Sequence, residues 1–133
     1  MKKLGLLLIS AMLLLAACDL SNADRNSGVE EAIHARMQSG ETDTIQLGHL
    51  TDFEWDEAFL FTPYTPEDSI KDEVGIKDPS GISYRDDIQL LVFAKDEKAV
   101  QYVEVSREFG DLTRPNHRKL KPKNDMLRIY KDE

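Results

Sequence analysis

The densest chemistry in this chain lies between Asp52 and Phe61, where the sequence reads Asp-Phe-Glu-Trp-Asp-Glu-Ala-Phe-Leu-Phe. Its alternation predicts a strand over Phe53–Thr62 that turns Asp52, Glu54 and Asp56 to one side and Phe53, Trp55, Phe59 and Phe61 to the other. Glu57 then falls on the aromatic side. A carboxylate there is costly unless it is paired or protonated, so either a bulge re-aims it or a cation such as Arg85, Arg107 or Arg128 meets it. The sharper alternative is a raised-pKa carboxyl in an apolar cleft, which could serve a hydrolase as general acid or base. The structural alternative is the expectation, because it needs only one partner.

The Asp-x-Glu-x-Asp spacing also invites a calcium reading. It lacks the glycine and the later glutamate of a calcium loop, and a strand splays its carboxylates along one edge, so a solvated acidic face is expected. Such a face, Asp52, Glu54 and Asp56 with Trp55 and Tyr64 beside it, is a candidate surface for a protein partner. Trp55, Phe59, Phe61 and Tyr64 read first as core, since aromatics at strand spacing more often lie under a helix.

His34, His49 and His117 stand in separate segments without ligand spacing, and the chain has one cysteine, Cys18. No metal site is expected. There is no glycine-rich phosphate loop, and neither Ser80 nor Ser106 sits in a nucleophile-elbow pattern. The sequence therefore predicts no cofactor and no catalytic residue, and a protein that is not an enzyme.

Charge is segregated along the chain. Asp52 to Glu73 holds eight acids and one lysine, whereas Arg114 to Lys123 holds Arg114, Arg118, Lys119, Lys121 and Lys123 and no acid. The basic run reads either as a solvated loop whose lysines discourage edge pairing or as a face turned toward anionic headgroups. Over the whole chain the formal charge is −8. That balance disfavours a nucleic-acid partner, whose affinity comes mainly from phosphate neutralisation.

The N-terminus begins with Lys2 and Lys3, continues through an apolar run from Leu4 to Leu15 and ends in small residues, the layout of an export signal. The run falls well short of the roughly 20 residues that cross a bilayer as a helix. Leu15-Ala16-Ala17-Cys18 resembles a lipobox, the recognition sequence of bacterial lipoproteins. That resemblance implies cleavage before Cys18, lipidation of its sulfur (diacylglyceryl, palmitate-type chains) and a permanent tether to the outer side of a membrane. It also implies that the only thiol is consumed, so the domain is held without a disulfide. Asp19, just after the cysteine, resembles the retention signal for the periplasmic face of the inner membrane in bacteria with two membranes. Cleavage would remove two lysines and no acid, taking −8 to −10 over residues 18–133.

The elements that must position these residues follow in order. Residues 1–17 read as signal peptide and 18–26 as lipidated terminus and linker, whose eight residues after the cysteine span about 15 Å on average and about 28 Å at most. Residues 27–133 read as one α+β domain, large enough for its own core. Ser27-x-x-Glu30 has the form of a capping box, and Val29, Ile33 and Met37 recur at helical spacing up to Gly40. Thr44–Leu50 reads as a short extended piece. Tyr64-Thr65-Pro66 opens a second helix to Val74, stopped at Gly75, and Asp78-Pro79-Ser80-Gly81 is a turn. Ile88–Ala94 and Ala99–Arg107 form a hairpin whose first strand is nearly all apolar, hence central and covered on both faces. Met126–Tyr130 alternates as a last strand. The expected fold is a small antiparallel sheet of four or five strands on one or two helices.

The run Phe53-x-Trp55-Asp56-x-x-Phe59-x-Phe61-x-Pro63-Tyr64-Thr65 is similar to a segment of small bacterial lipoproteins without an assigned activity. The order of elements resembles, at the level of fold, small envelope lipoproteins of the outer-membrane assembly kind and periplasmic inhibitor domains. These resemblances imply a non-catalytic, lipid-anchored module that works with an envelope protein, or an inhibitor or immunity-type protein whose acidic face meets a basic lytic enzyme.

Overall fold

The computed structural model describes residues 23–131. The first helix, α1 (Ser27–Ser39), buries Val29, Ile33 and Met37 and ends at Gly40, whose φ of 66° is the left-handed stop that glycine adopts freely. Its cap differs from the expected capping box. Asn26, not Ser27, stands at the N-cap, and its side-chain oxygen accepts from the Val29 N–H at 2.9 Å. With Asn26 at the N-cap the third helical position is Val29, so Glu30 comes one residue too late to complete a box, and the Asn26 N–H is given to the Tyr102 carbonyl at 2.9 Å. The Glu30 carboxylate instead turns to the neighbouring sheet and accepts from Arg25 Nε at 2.7 Å and from the Glu104 N–H at 2.9 Å.

That Asn26 contact also shortens the expected linker. Asp24–Arg25 forms a two-residue strand, β1, that runs parallel to the fifth strand with Asp24 opposite Gln101 and Arg25 opposite Tyr102. Ala23–Asn26, assigned to the linker from the sequence, therefore already belong to the folded unit.

Among the described residues seven strands follow the order β1, β2 (Thr44–Gln46), β3 (Glu57–Phe61), β4 (Ile88–Lys95), β5 (Lys98–Ser106), β6 (Asp111–Thr113) and β7 (Met126–Tyr130). The second helix, α2 (Glu67–Val74), lies between β3 and β4, buries Ile70 and Val74 and stops at Gly75 with φ 73°. The class is α+β with mainly antiparallel sheets, as expected, but the strands divide into two sheets. One has the order β1-β5-β4-β3 and the other β2-β7-β6. A single sheet was expected because β2 and β6 are three residues each, too short to show a period, and both depend on pairing with β7 near the end of the chain.

The β4–β5 hairpin organises the rest. Its turn places Asp96 and Glu97 at φ 51° and 66°, the two left-handed positions of a turn whose twist matches that of the strands. Phe93 pairs with Gln101 and Ala94 with Ala99, so Val100 is an extra residue that bulges β5. β4 is buried along both faces. Leu91 and Phe93 join α1, Val103, Val105 and the inner side of the second sheet, whereas Leu90 and Val92 join Phe61, Ile70, Val74, Ile76 and Ile82 beneath α2. Gln89, 2% exposed, closes the gap between the sheets. Its side-chain amide donates to the Leu112 carbonyl at 2.9 Å and its oxygen accepts from the Leu112 N–H at 2.7 Å, so it pairs with β6 as a strand residue would.

The expected long strand from Phe53 is shorter, starting at Glu57. Before it the chain turns: the Trp55 indole N–H donates to Thr51 Oγ1 at 3.1 Å, and Thr51 donates to the Leu47 carbonyl at 3.0 Å. Consequently the aromatics do not share a face. Phe53 and Trp55 pack edge-on to Phe93 with centroids 5.1 and 5.4 Å away, in the α1 core. Phe59 and Phe61 stack 6.5 Å apart on the α2 side. Among the described residues no helix is long and apolar enough to cross a membrane.

Candidate functional site

A concavity opens at the hairpin end of the larger sheet, an open groove of about 930 Å³. Four elements meet there: the start of β3, the Asp96–Glu97 turn, the last turn of α2 and the basic segment. Phe59, Val74 and Ala94 give it apolar surface, and Asp56, Glu57, Glu73, Asp96 and Glu97 give it carboxylates. Asp56 is positioned by the turn itself, its Oδ2 accepting from the Asp96 N–H at 2.9 Å. The C-terminal end of α2, the negative end of its dipole, adds to the negative potential.

Glu57 lines this groove with its side chain 26% exposed, and Lys119 Nζ lies 3.9 Å from its Oε1. The expected cation is present, but it is Lys119 and none of the three arginines. Arg85 and Arg107 are engaged elsewhere, and Arg128 is exposed on β7. Nor is the setting the apolar cleft that the general-acid reading requires, since charged side chains dominate its walls.

The basic segment is docked rather than free. Leu120 is buried, and its carbonyl accepts from the Ala58 N–H at 2.9 Å, so the segment covers the outer edge of β3. That contact splits the five cations. Lys119 and Lys121 line the acidic groove, Arg114 lines a neighbouring cavity beside Phe61 and Thr62, and Arg118 and Lys123 are exposed. They do not form one uniform basic face, because the nearest carboxylates face two of them.

The candidate partner contacts are dispersed in the same way. Asp52 and Glu54 are exposed outside the groove, and Asp56 lies within it. Trp55 is 7% exposed, which removes it from any contact surface and assigns it to the core. Tyr64 is 60% exposed at the far end of β3. Near it stands Tyr84, 84% exposed, a residue without periodic or motif signal in the sequence. Cys18 and Asp19 lie outside the described residues.

Opposite the basic segment, along the other edge, a chain of ion pairs fastens β1 to the sheet. Arg25 meets Glu30 at 2.7 Å and Glu104 at 3.0 Å, and Arg85 meets Glu104 at 2.7 Å and Asp87 at 2.8 Å. The hydrogen bonds that Arg85 donates to Asp87 and then to Glu104 push the pKa of its guanidinium upward, and the one that Arg25 donates to Glu30 does the same for Arg25. The same Arg85 contact holds the Asp87 carboxyl below its ordinary range. Sequence reading missed this network because its members come from four separate segments.

Histidines do not converge: His34 lies 4.0 Å from Glu108 and against the Phe109 ring, away from His49 and His117. Among the described residues no three His, Cys, Asp or Glu side chains form a group that could hold a metal. The Ser80 hydroxyl is taken up by its own turn, donating to Asp78 Oδ1 at 2.8 Å. Comparison of the chain with protein-family models, with curated proteins and with solved structures finds no match.

Proposed function

We propose that this chain is a lipid-anchored lipoprotein of the bacterial cell envelope that acts by holding a partner protein near the membrane rather than by catalysis. The observation that carries the reading is the Leu15-Ala16-Ala17-Cys18 sequence followed so closely by a fold. Ala23 is five residue steps from Cys18, so at full extension the folded unit begins within about 18 Å of the lipidated sulfur. Because β1 is zipped to β5, a pull on the lipid is passed straight to the larger sheet. A domain tied this closely to a bilayer meets other membrane-bound proteins far more often than diffusing substrates.

Metabolic labelling with an alkyne fatty acid tests the anchor. The full-length chain is expected to carry the label and sediment with membranes, and Cys18→Ser is expected to lose both. Label retained in Cys18→Ser, or absent from the unmodified chain, refutes the reading.

The acidic groove favours a second reading, an inhibitor or immunity-type protein for a basic lytic enzyme. Its five carboxylates and the apolar surface of Phe59, Val74 and Ala94, with Lys119 and Lys121 at the side, suit a cationic surface loop of such a target.

A further inference from the structure

At the end of the larger sheet opposite the hairpin turn, two large aromatic side chains stand in water. Tyr64 follows β3, and Tyr84 closes a single 3-10 turn, Ile82–Tyr84. The two stretches are joined directly, since the Tyr64 N–H donates to the Ile82 carbonyl at 2.9 Å, and Ile82 is fully buried beneath them. The tyrosines are therefore fixed on one rigid base although neither contributes to the core.

Tyr64 is unusual in a second respect. Its φ is 63°, a left-handed conformation in which a β-carbon is crowded and which glycine or asparagine adopts more readily. A bulky side chain that is both exposed and strained gains little for the fold. Strain of this kind gathers where a side chain is presented to something else.

The surroundings state the charge of that partner. Glu67 and Asp68, in the first turn of α2, and Asp86, beside Tyr84, are all exposed. Arg85, next to Tyr84 in the chain, is committed to Asp87 and Glu104 at 2.8 and 2.7 Å, and Arg114 lines the neighbouring cavity with Thr62 and Thr65. Two tyrosine faces within a collar of carboxylates fit a guanidinium or ammonium, held over a ring and paired at its rim. An anionic surface is repelled by the same collar.

We infer that Tyr64 and Tyr84 form a docking surface for an arginine- or lysine-bearing segment of a partner protein. This surface is distinct from the acidic groove, which lies at the other end of the sheet. β1 enters from the hairpin end, since it runs parallel to β5, so the tyrosines lie at the end away from that entry. Only the corollary that they look away from the bilayer rests on the lipid reading.

The test is a titration of the full mature chain in detergent micelles with an acetylated tri-arginine peptide, followed by amide NMR, with tri-glutamate as control. Tri-arginine is expected to shift the amides around Tyr64 and Tyr84, and tri-glutamate is not. Tyr84→Ser and the pair Asp68→Asn, Asp86→Asn should each weaken binding at least fivefold. Tyr64→Gly should weaken it similarly while leaving the unfolding temperature equal or higher, a combination that a purely structural tyrosine would not produce. Shifts confined to Glu57, Glu73 and Asp96, no shifts at all, or a Tyr64→Gly variant that binds normally would overturn the inference. Cys18→Ser should leave peptide binding intact, so failure of the lipid anchor is read separately.

Discussion

The two faces of β4 make different things of one apolar strand. On the α1 side Leu91 and Phe93 enter a core closed by a helix of 13 residues, by the second sheet and by the folded-back Phe53 and Trp55. On the α2 side Leu90 and Val92 are covered by a helix of 8 residues and the loop after it, while Phe59, Ala99 and Tyr102 stay half-buried at the rim. The rim is completed by charge, with Arg25, Glu104 and Arg85 across one flank and the acidic groove at the hairpin end. The lesson is a division of labour: the α1 face specifies the fold, and the thinner α2 face leaves surface on which recognition can be built.

The comparison breaks most directly by cutting into each face. Phe93→Ala removes the ring on which both Phe53 and Trp55 pack and is expected to cost about 3–5 kcal/mol. Ile70→Ala on the other side is expected to cost less, about 2–3 kcal/mol, because a short helix over an open rim can relax into the space. Urea denaturation of the two variants compares them, and equal losses would show that the faces carry equal weight.

A smaller effect tests how the α1 face is joined to the second sheet. Gln89→Leu keeps the volume but strands the N–H and carbonyl of Leu112, at a cost of about 2 kcal/mol or more. Hydrogen exchange should then quicken in β6 and β7 before it does in β3. If exchange in β6 is unchanged, the glutamine is not the link between the sheets.

The smallest effect belongs to the charged rim. The Asp87 carboxyl is held low by Arg85, so its contribution is present above the ordinary aspartate range and is lost as pH falls through its lowered folded value. In Arg85→Met its protonation midpoint, followed by carboxyl carbon NMR, should rise to the ordinary range. An unmoved midpoint would mean that the pair does not form in solution.

Much of this was legible in the residues. Val29, Ile33 and Met37 mark one helix and Ile70 and Val74 the other, and the apolar run Ile88–Ala94 announces a strand covered twice, because each signal repeats within one element. The aromatic segment misled for the same reason. Its alternation continues through Asp56, but the turn at Thr51–Trp55, set by hydrogen bonds among Leu47, Thr51 and Trp55, divides it between two cores. The acidic groove was half legible: the carboxylates of Asp56, Glu57 and Glu73 stand out in the chain, but their meeting with Lys119 depends on Leu120 pairing with Ala58.

By itself the sequence determined what is local: the helix periods, the stops at Gly40 and Gly75, the hairpin, the acidic balance and the position of Cys18 ahead of these elements. Only the tertiary structure decided that there are two sheets, that Gln89 bridges them, that Trp55 is core, and that Tyr64 and Tyr84 stand exposed together. Periodicity records which side of an element avoids water. What meets that side, and what is left uncovered, is settled by contacts between residues far apart in the chain.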